Sequence, residues 1–346
     1  MNPRGIDRPL RWGILSTGRI ARTFASQLPQ GNGTLVAVAS RSIREARAFA
    51  TTVPGATPHG SYQELLDNPS VEAVYIATPH PFHVEWATRA AAAGKHILCE
   101  KPMGMSASQV ELAITAARIH GVFLMEAFMY RCHPVTAFLI EWVRAERLGR
   151  LQHIAACFSF DAPVPPEHRL VALALGGGGI LDIGCYPISL IRLLAGASAN
   201  KPFAEPLTFK GTARLLPTGA DGAASALLTF ADGLTAEAHC GVALQRGAWV
   251  ELTGTRGRLR IDQPWLSRWL GRNALVWHQP HGRFWSVPHP VFSARPVYAL
   301  QAAEVARCVR SGLKQSPKIS WDDSLGNARV LDAWLAEAGV HHPNPA

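Results

Sequence analysis

The chain has 346 residues, 48% of them hydrophobic and 17% charged, which supports a buried core and excludes a disordered chain. Its formal charge is +9, but the basic residues are scattered and form no run, so nucleic-acid binding is not expected. No stretch approaches the roughly 20 apolar residues of a membrane span, and MNPRGIDRPLRWGIL has neither the apolar segment nor the cleavage site of a secretory signal.

RWGIL reads as a buried strand and GRIARTFASQL as a helix, with Ile20, Phe24 and Leu28 on one face. The turn between them, GILSTGRIA, follows the dinucleotide pattern G-x-G-x-x-G/A in part. Ser16 takes the first glycine position, Gly18 the second and Ala21 the third. Gly18 lets a pyrophosphate approach the backbone, and the helix opening at Arg19 offers its free amides and positive dipole end. Ser16, Thr17, Gly18, Arg19 and Ile20 are therefore cofactor-binding candidates.

LVAVAS is the second strand. A ribose 2′-hydroxyl is normally held by an acid at its end. Here VASRSIREA offers Ser40, Arg41 and Ser42, with no acid before Glu45. Arginine and serine suit a 2′-phosphate by charge and hydrogen bonding, so NADP is expected over NAD. Ser42 is a plausible N-cap for the following helix, with Glu45 completing a capping box.

SYQELLDNP reads as a short helix, AVYIAT as a third parallel strand, FHVEWATRAAAAG as a helix closed by Gly94, and HILCE as the next strand. That strand ends abruptly in Glu100, Lys101 and Pro102. A helix follows Ser106 or Ser108 and ends at Gly121, and VFLMEAF is the strand after it. Strands alternating with helices imply a doubly wound parallel sheet, a Rossmann domain over residues 1–125.

Residues 126–346 change style. Strand-like segments (LQHIAACFSFD, LTFKGTARLL, ASALLTFADGLTAEAHCGV, AWVELTGTRGRLRID and NALVWHQ) alternate with turns, and helices are expected near 134–147 and 183–195. The expectation is an α+β domain with an open, mainly antiparallel sheet, for substrate binding and dimerisation. Residues 263–296 read as a loop rich in aromatics (Trp265, Trp269, Trp277, Phe284, Trp285), either packed on itself or walling a substrate pocket. The run Gly176–Gly179 lacks the G-K-S/T of a P-loop. The histidines show no metal-ligand spacing, so no metal is expected. Cys99, Cys132, Cys157, Cys185, Cys240 and Cys308 contain no C-x-x-C pair and read as free thiols of a cytoplasmic protein.

The segments GILSTGRIA, VASRS, YIATPHPFH, AGKHILCEKPM, EAFMYRCHP, GGGGILDIGCYP, GTRGRLRI and ISWDDSLGNARVLDA together resemble the Gfo/Idh/MocA oxidoreductase family, from residue 13 to about 334. Most of that family has histidine at the position of Tyr186. Tyrosine there is similar to the dimeric dihydrodiol dehydrogenases, NADP-dependent D-xylose dehydrogenases and glucose–fructose oxidoreductases. The resemblance implies that Glu100-Lys101-Pro102 faces the ligand edge of the parallel sheet, with a cis Lys101–Pro102 bond, and that Thr78, Pro79 and His83 lie at the cofactor.

The chemistry expected is hydride transfer between NADP and a carbinol or carbonyl of a sugar or cyclic diol. Tyr186 is the candidate acid/base. A phenol's usual pKa of about 10 is too high for a base at neutral pH, and an ammonium from Lys101 would lower it. Asp182, four residues before Tyr186, shares its helical face and would orient Lys101 or a substrate hydroxyl. Arg131, Arg169 and Trp285 are further substrate candidates. The alternatives are a non-catalytic NAD(P)-binding sensor or regulator, and an NAD-assisted glycosidase. A homodimer through the second-domain sheet is the expected assembly.

Overall fold

The computed structural model describes residues 8–265 and 273–343, so Trp269 lies outside the described residues. In chain order, the first half contains β1 (Leu10–Leu15), α1 (Arg19–Gln27), β2 (Gly33–Ala39), α2 (Ile43–Ala50), β3 (Thr57–His59), α3 (Tyr62–Asp67), β4 (Ala73–Ile76), α4 (His83–Ala92), β5 (His96–Cys99), α5 (Ala107–Ile119) and β6 (Leu124–Glu126). The second half contains α6 (Pro134–Arg144), β7 (Leu151–Ser159), α7 (Cys185–Ser198), β8 (Thr208–Leu215), β9 (Asp221–Thr229), β10 (Thr235–Gly241), β11 (Ala248–Gly254), β12 (Gly257–Asp262), β13 (Asn273–Pro280), β14 (Val287–Phe292), α8 (Val297–Arg310) and α9 (Trp321–Glu337).

The chain divides into two compact units. One holds the described residues up to Gly104, with Ser108–Cys132 and Arg295–Ser324; the other holds Met105–Ala107, His133–Ala294 and Leu325 onward. The sequence places the division at 125/126. Residues 295–324 instead return to the first unit, where Gly31 meets the backbone of Ala299 so closely that any side chain would clash.

In the first unit the strands run β3-β2-β1-β4-β5-β6, all parallel. Strand order reverses between β1 and β4, and in such sheets ligands bind beyond the carboxyl ends of the strands at that point. β4 is buried along its whole length, as a central parallel strand covered by helices must be. Gly94 closes α4 with φ +70, and the following Lys95 is buried and donates to the carbonyls of Asn68 and Val71, each at 2.9 Å. Ser61 caps α3 by accepting from the Glu64 amide. Ser42 stands at the N-cap of α2 without capping through its side chain. Ser40 makes that turn instead: its hydroxyl accepts from the Ser42 amide and donates to Glu45.

In the second unit the order is β14-β13-β12-β11-β7-β10-β9-β8, antiparallel except for the parallel pair β7–β10. The segment read as a 263–296 loop therefore contains the edge hairpin β13–β14. Pro288 and Pro290 sit in the edge strand, where a missing amide costs no ladder bond. Leu173–Ser198 is long and apolar enough to cross a membrane, contrary to the sequence reading, but its most apolar 18-residue stretch is buried inside the unit, as in a core helix. All six cysteines are free and buried.

Candidate active site

The nucleotide end is built from three strand ends. After β1, Ser16 takes the left-handed conformation (φ 101) that glycine adopts more easily, and its amide donates to Ala39 O at 2.9 Å. Its hydroxyl accepts from the Gly18 amide at 3.3 Å. A side chain at Gly18 would meet nothing closer than Ser16 Oγ at 3.7 Å, so the approach to the α1 amides is open. Thr17, Gly18, Arg19 and Ile20 all keep solvent exposure. After β4, Thr78 Oγ1 is buried without a hydrogen-bond partner, a polar atom that a bound group would satisfy. The open α1 terminus and this orphaned hydroxyl both fit a dinucleotide. After β2, Arg41 is exposed and Ser42 partly so.

After β5, Glu100 is buried and accepts from the Tyr75 hydroxyl; Tyr75 itself stacks on Phe24 at 4.0 Å. The Lys101 amide donates to Glu100 Oε2 at 3.3 Å, and the Lys101–Pro102 bond is cis, as the resemblance implied. Lys101 remains partly exposed.

His83 is fully buried, so it does not line the cofactor surface; it braces it. Its ring nitrogens lie 2.8 Å from Pro102 O and 2.8 Å from Thr78 O. Burial pushes this imidazole down to about 4, while the two carbonyls favour the protonated ring. The neutral ring donates to one carbonyl and the imidazolium to both. Only the imidazolium ties the turn at Pro102 to the β4 loop through both carbonyls; the neutral ring bonds one of them and sets its bare nitrogen against the other. The amide of Met103 is held by buried Glu126 at 2.9 Å. Burial raises Glu126 to about 7, opposed by the Ser324 hydroxyl and that amide.

Sequence reasoning missed Tyr298. Burial raises this phenol, Glu100 raises it further and Arg19 opposes, so α8 brings it to the nucleotide end. No local signal links it to a turn almost the whole chain away.

In the second unit, Ile180–Gly184 form a wide π-type turn that continues into α7. Such turns recur at functional sites because they re-aim side chains. Asp182 is buried, and its carboxylate accepts from Arg169 at 3.3 Å; Arg169 is about half exposed. Tyr186 is 5% exposed, with its ring edge-on to Phe158 at 5.3 Å and tilted against Trp265 at 5.6 Å. Trp265 is fully buried, its indole donating to Cys157 O at 3.1 Å. Its ring packs against those of Phe158 and Tyr186. Trp285 is 56% exposed beside Arg283, whose guanidinium lies 5.0 Å from the ring centroid.

Arg131, a substrate candidate in the sequence, is instead buried and committed to Asp323 and, at 2.9 Å, to Lys318 O. Removing one partner of a buried pair strands the other charge. Arg131→Met should therefore lower unfolding free energy by about 3–5 kcal/mol in a denaturant titration. A change near zero would show that the pair carries nothing.

Asp221 was also invisible in the sequence. It opens β9 fully buried, and its carboxylate accepts from the Ile180 amide at 2.7 Å, at the head of the segment bearing Asp182 and Tyr186. Gly178 has φ +128, and a side chain there would strike this carboxylate, which explains a glycine at that point of the run. Burial raises Asp221 to about 7, against the Ile180 amide and with Asp182 adding to the rise. A folded value above the unfolded one gives stability that is present at low pH and lost as pH rises through about 7. Asp221→Asn keeps an acceptor for Ile180 without the charge. Raising the pH from about 6 to 8 should therefore lower the wild-type Tm more than that of the variant; parallel Tm curves would contradict this.

Two family models match the chain: an oxidoreductase family with NAD-binding Rossmann fold over residues 10–128, and the GFO/IDH/MocA C-terminal domain over residues 137–260. The chain belongs to the GFO/IDH/MocA oxidoreductase family. Its first unit is thus an NAD-binding Rossmann domain, the α/β fold expected from the sequence. Among curated family members, the trans-1,2-dihydrobenzene-1,2-diol dehydrogenase of Mus musculus is 34% identical over 343 residues, covering 96% of this chain and 98% of its own. The enzyme of the same name from Sus scrofa is 34% identical over 342 residues, with the same coverage. Among solved structures, KijD10, a 3-ketoreductase from Actinomadura kijaniata in complex with NADP and TDP-benzene, has a TM-score of 0.83 at 28% identity. It covers 96% of this chain and 98% of its own. The aldose-aldose oxidoreductase of Caulobacter crescentus also reaches 0.83, at 24% identity and with coverage of 96% and 98%; at that identity the likeness is of fold alone.

Proposed function

We propose that this chain is an NADP-dependent dehydrogenase or reductase acting on a carbinol or carbonyl of a sugar or cyclic diol. The observation that carries this reading is Lys101 itself, partly exposed beyond the carboxyl end of β5, in a turn that His83 and Glu126 hold. A stability role gives weak reason for a lysine held there, because exposed ion pairs contribute only about 0–1 kcal/mol.

Ser16, Thr17, Gly18, Arg19, Ile20, Thr78, Pro79 and Glu100 would hold the dinucleotide, with Ser40, Arg41 and Ser42 at its 2′-phosphate. When bound, it supplies the hydride acceptor, or the donor in reduction. The chain's own residues handle the proton. Tyr186 takes the hydroxyl proton as the C–H bond breaks and the carbonyl forms, and returns it in reduction. An ammonium at Lys101 favours the phenolate and hydrogen-bonds the substrate oxygen. Asp182, oriented by Arg169, holds a neighbouring hydroxyl. The names of the relatives support this substrate class: a dihydrodiol dehydrogenase and a 3-ketoreductase crystallised with NADP. The reading extends to a cytoplasmic homodimer associated through the eight-stranded sheet.

A turnover screen with NADP against aldoses, inositols, anhydro-sugars and arene dihydrodiols tests it. At least one class should generate reduced-nicotinamide absorbance. Nucleotide binding without turnover of any class would favour a sensor, and sugar release without net reduction a glycosidase.

A further inference from the structure

We propose that Glu45 is a specificity-determining residue that opposes the 2′-phosphate of NADP and so narrows the preference for NADP over NAD. The inference rests on the 2′-phosphate site just assigned to Ser40, Arg41 and Ser42. In the sequence, Glu45 lies beyond the end of β2 and looks remote. The first turn of α2 folds it back, so that Ser40 Oγ donates to Glu45 Oε2 at 2.9 Å while accepting from the Ser42 amide at 3.3 Å.

Two consequences follow from the donor inventory. A serine hydroxyl has one proton. In this arrangement it is given to Glu45, and a phosphate oxygen, which only accepts, cannot use it. A ribose 2′-hydroxyl can donate to the same carboxylate, the arrangement by which an acid at this strand end normally favours NAD. The local charges are divided. Arg41 lowers and Glu45 raises the phenol of Tyr62, so both signs face that ring. The positive end at Arg41 attracts the phosphate and the negative end at Glu45 repels it. Glu45 is exposed and its known partner is a single hydroxyl, so neutralising it leaves the fold intact.

The test is isothermal titration of the full chain with NADPH and with NADH. Glu45→Gln should tighten NADPH about tenfold and leave NADH unchanged or up to about threefold weaker. The gain should shrink in about 0.5 M salt, because the repulsion is between exposed charges. NADPH affinity within about twofold of wild type, or NADH tightened in parallel, would overturn the proposal. Arg41→Ala separates this outcome from failure of the site itself. If Arg41→Ala leaves NADPH affinity unchanged, or the wild-type chain binds neither nucleotide, the 2′-phosphate assignment falls and Glu45 with it. If Arg41→Ala weakens NADPH while Glu45→Gln gains nothing, only the role of Glu45 falls.

Discussion

Tyr186→Phe should lower turnover by about 10²–10⁴-fold, the range that one positioned acid/base supplies, while NADP affinity stays within about twofold. The substitution isolates the hydroxyl. The ring makes the packing contacts with Phe158 and Trp265, and phenylalanine preserves them. Steady-state kinetics and calorimetric titration of the same preparation read both quantities. Turnover within about threefold of wild type would remove Tyr186 from the proton path.

Lys101→Met should also cost at least about 10²-fold in turnover, with a second signature in the pH profile. Methionine keeps the length of the stem without its charge. If the ammonium lowers the Tyr186 phenol, its loss returns that phenol toward its ordinary value of about 10. Residual activity should then keep rising with pH above the wild-type plateau, because more phenolate forms only in base. A profile of unchanged shape would mean that Lys101 binds substrate without tuning the tyrosine. The turn around Lys101 should survive, since Glu100 is held by Tyr75 and the Met103 amide by Glu126.

What was legible in the sequence was what local chemistry dictates. The turn Ser16–Gly18, the Gly94 cap and the alternation of strand and helix each need only neighbouring residues. The cis bond at Lys101–Pro102 came from the resemblance alone. β3 was missed because three residues, Thr57–His59, are too few to show a period of two. NALVWHQ reads as a strand and is β13; its partner β14 does not, because Pro288 and Pro290 interrupt it, although an edge strand tolerates them. Ser42 was preferred as a cap because its position fits; the structure gives Glu45 to Ser40, two residues earlier. Arg131 looked available because Asp323, its partner, lies far along the chain. Asp221 and Tyr298 act from elements remote in sequence from the groups they face. Their identities carry no motif, and only the folded topology brings them to Ile180 and Glu100.

The central claim is that the carbinol hydrogen passes to the nicotinamide while the chain removes the hydroxyl proton. It is tested most directly by supplying NADP and an arene dihydrodiol or aldose deuterated at the carbinol carbon, then analysing the nucleotide by mass spectrometry. The account predicts one deuterium on each reduced nicotinamide for each carbonyl formed. Product formation with no deuterium on the nucleotide would contradict it.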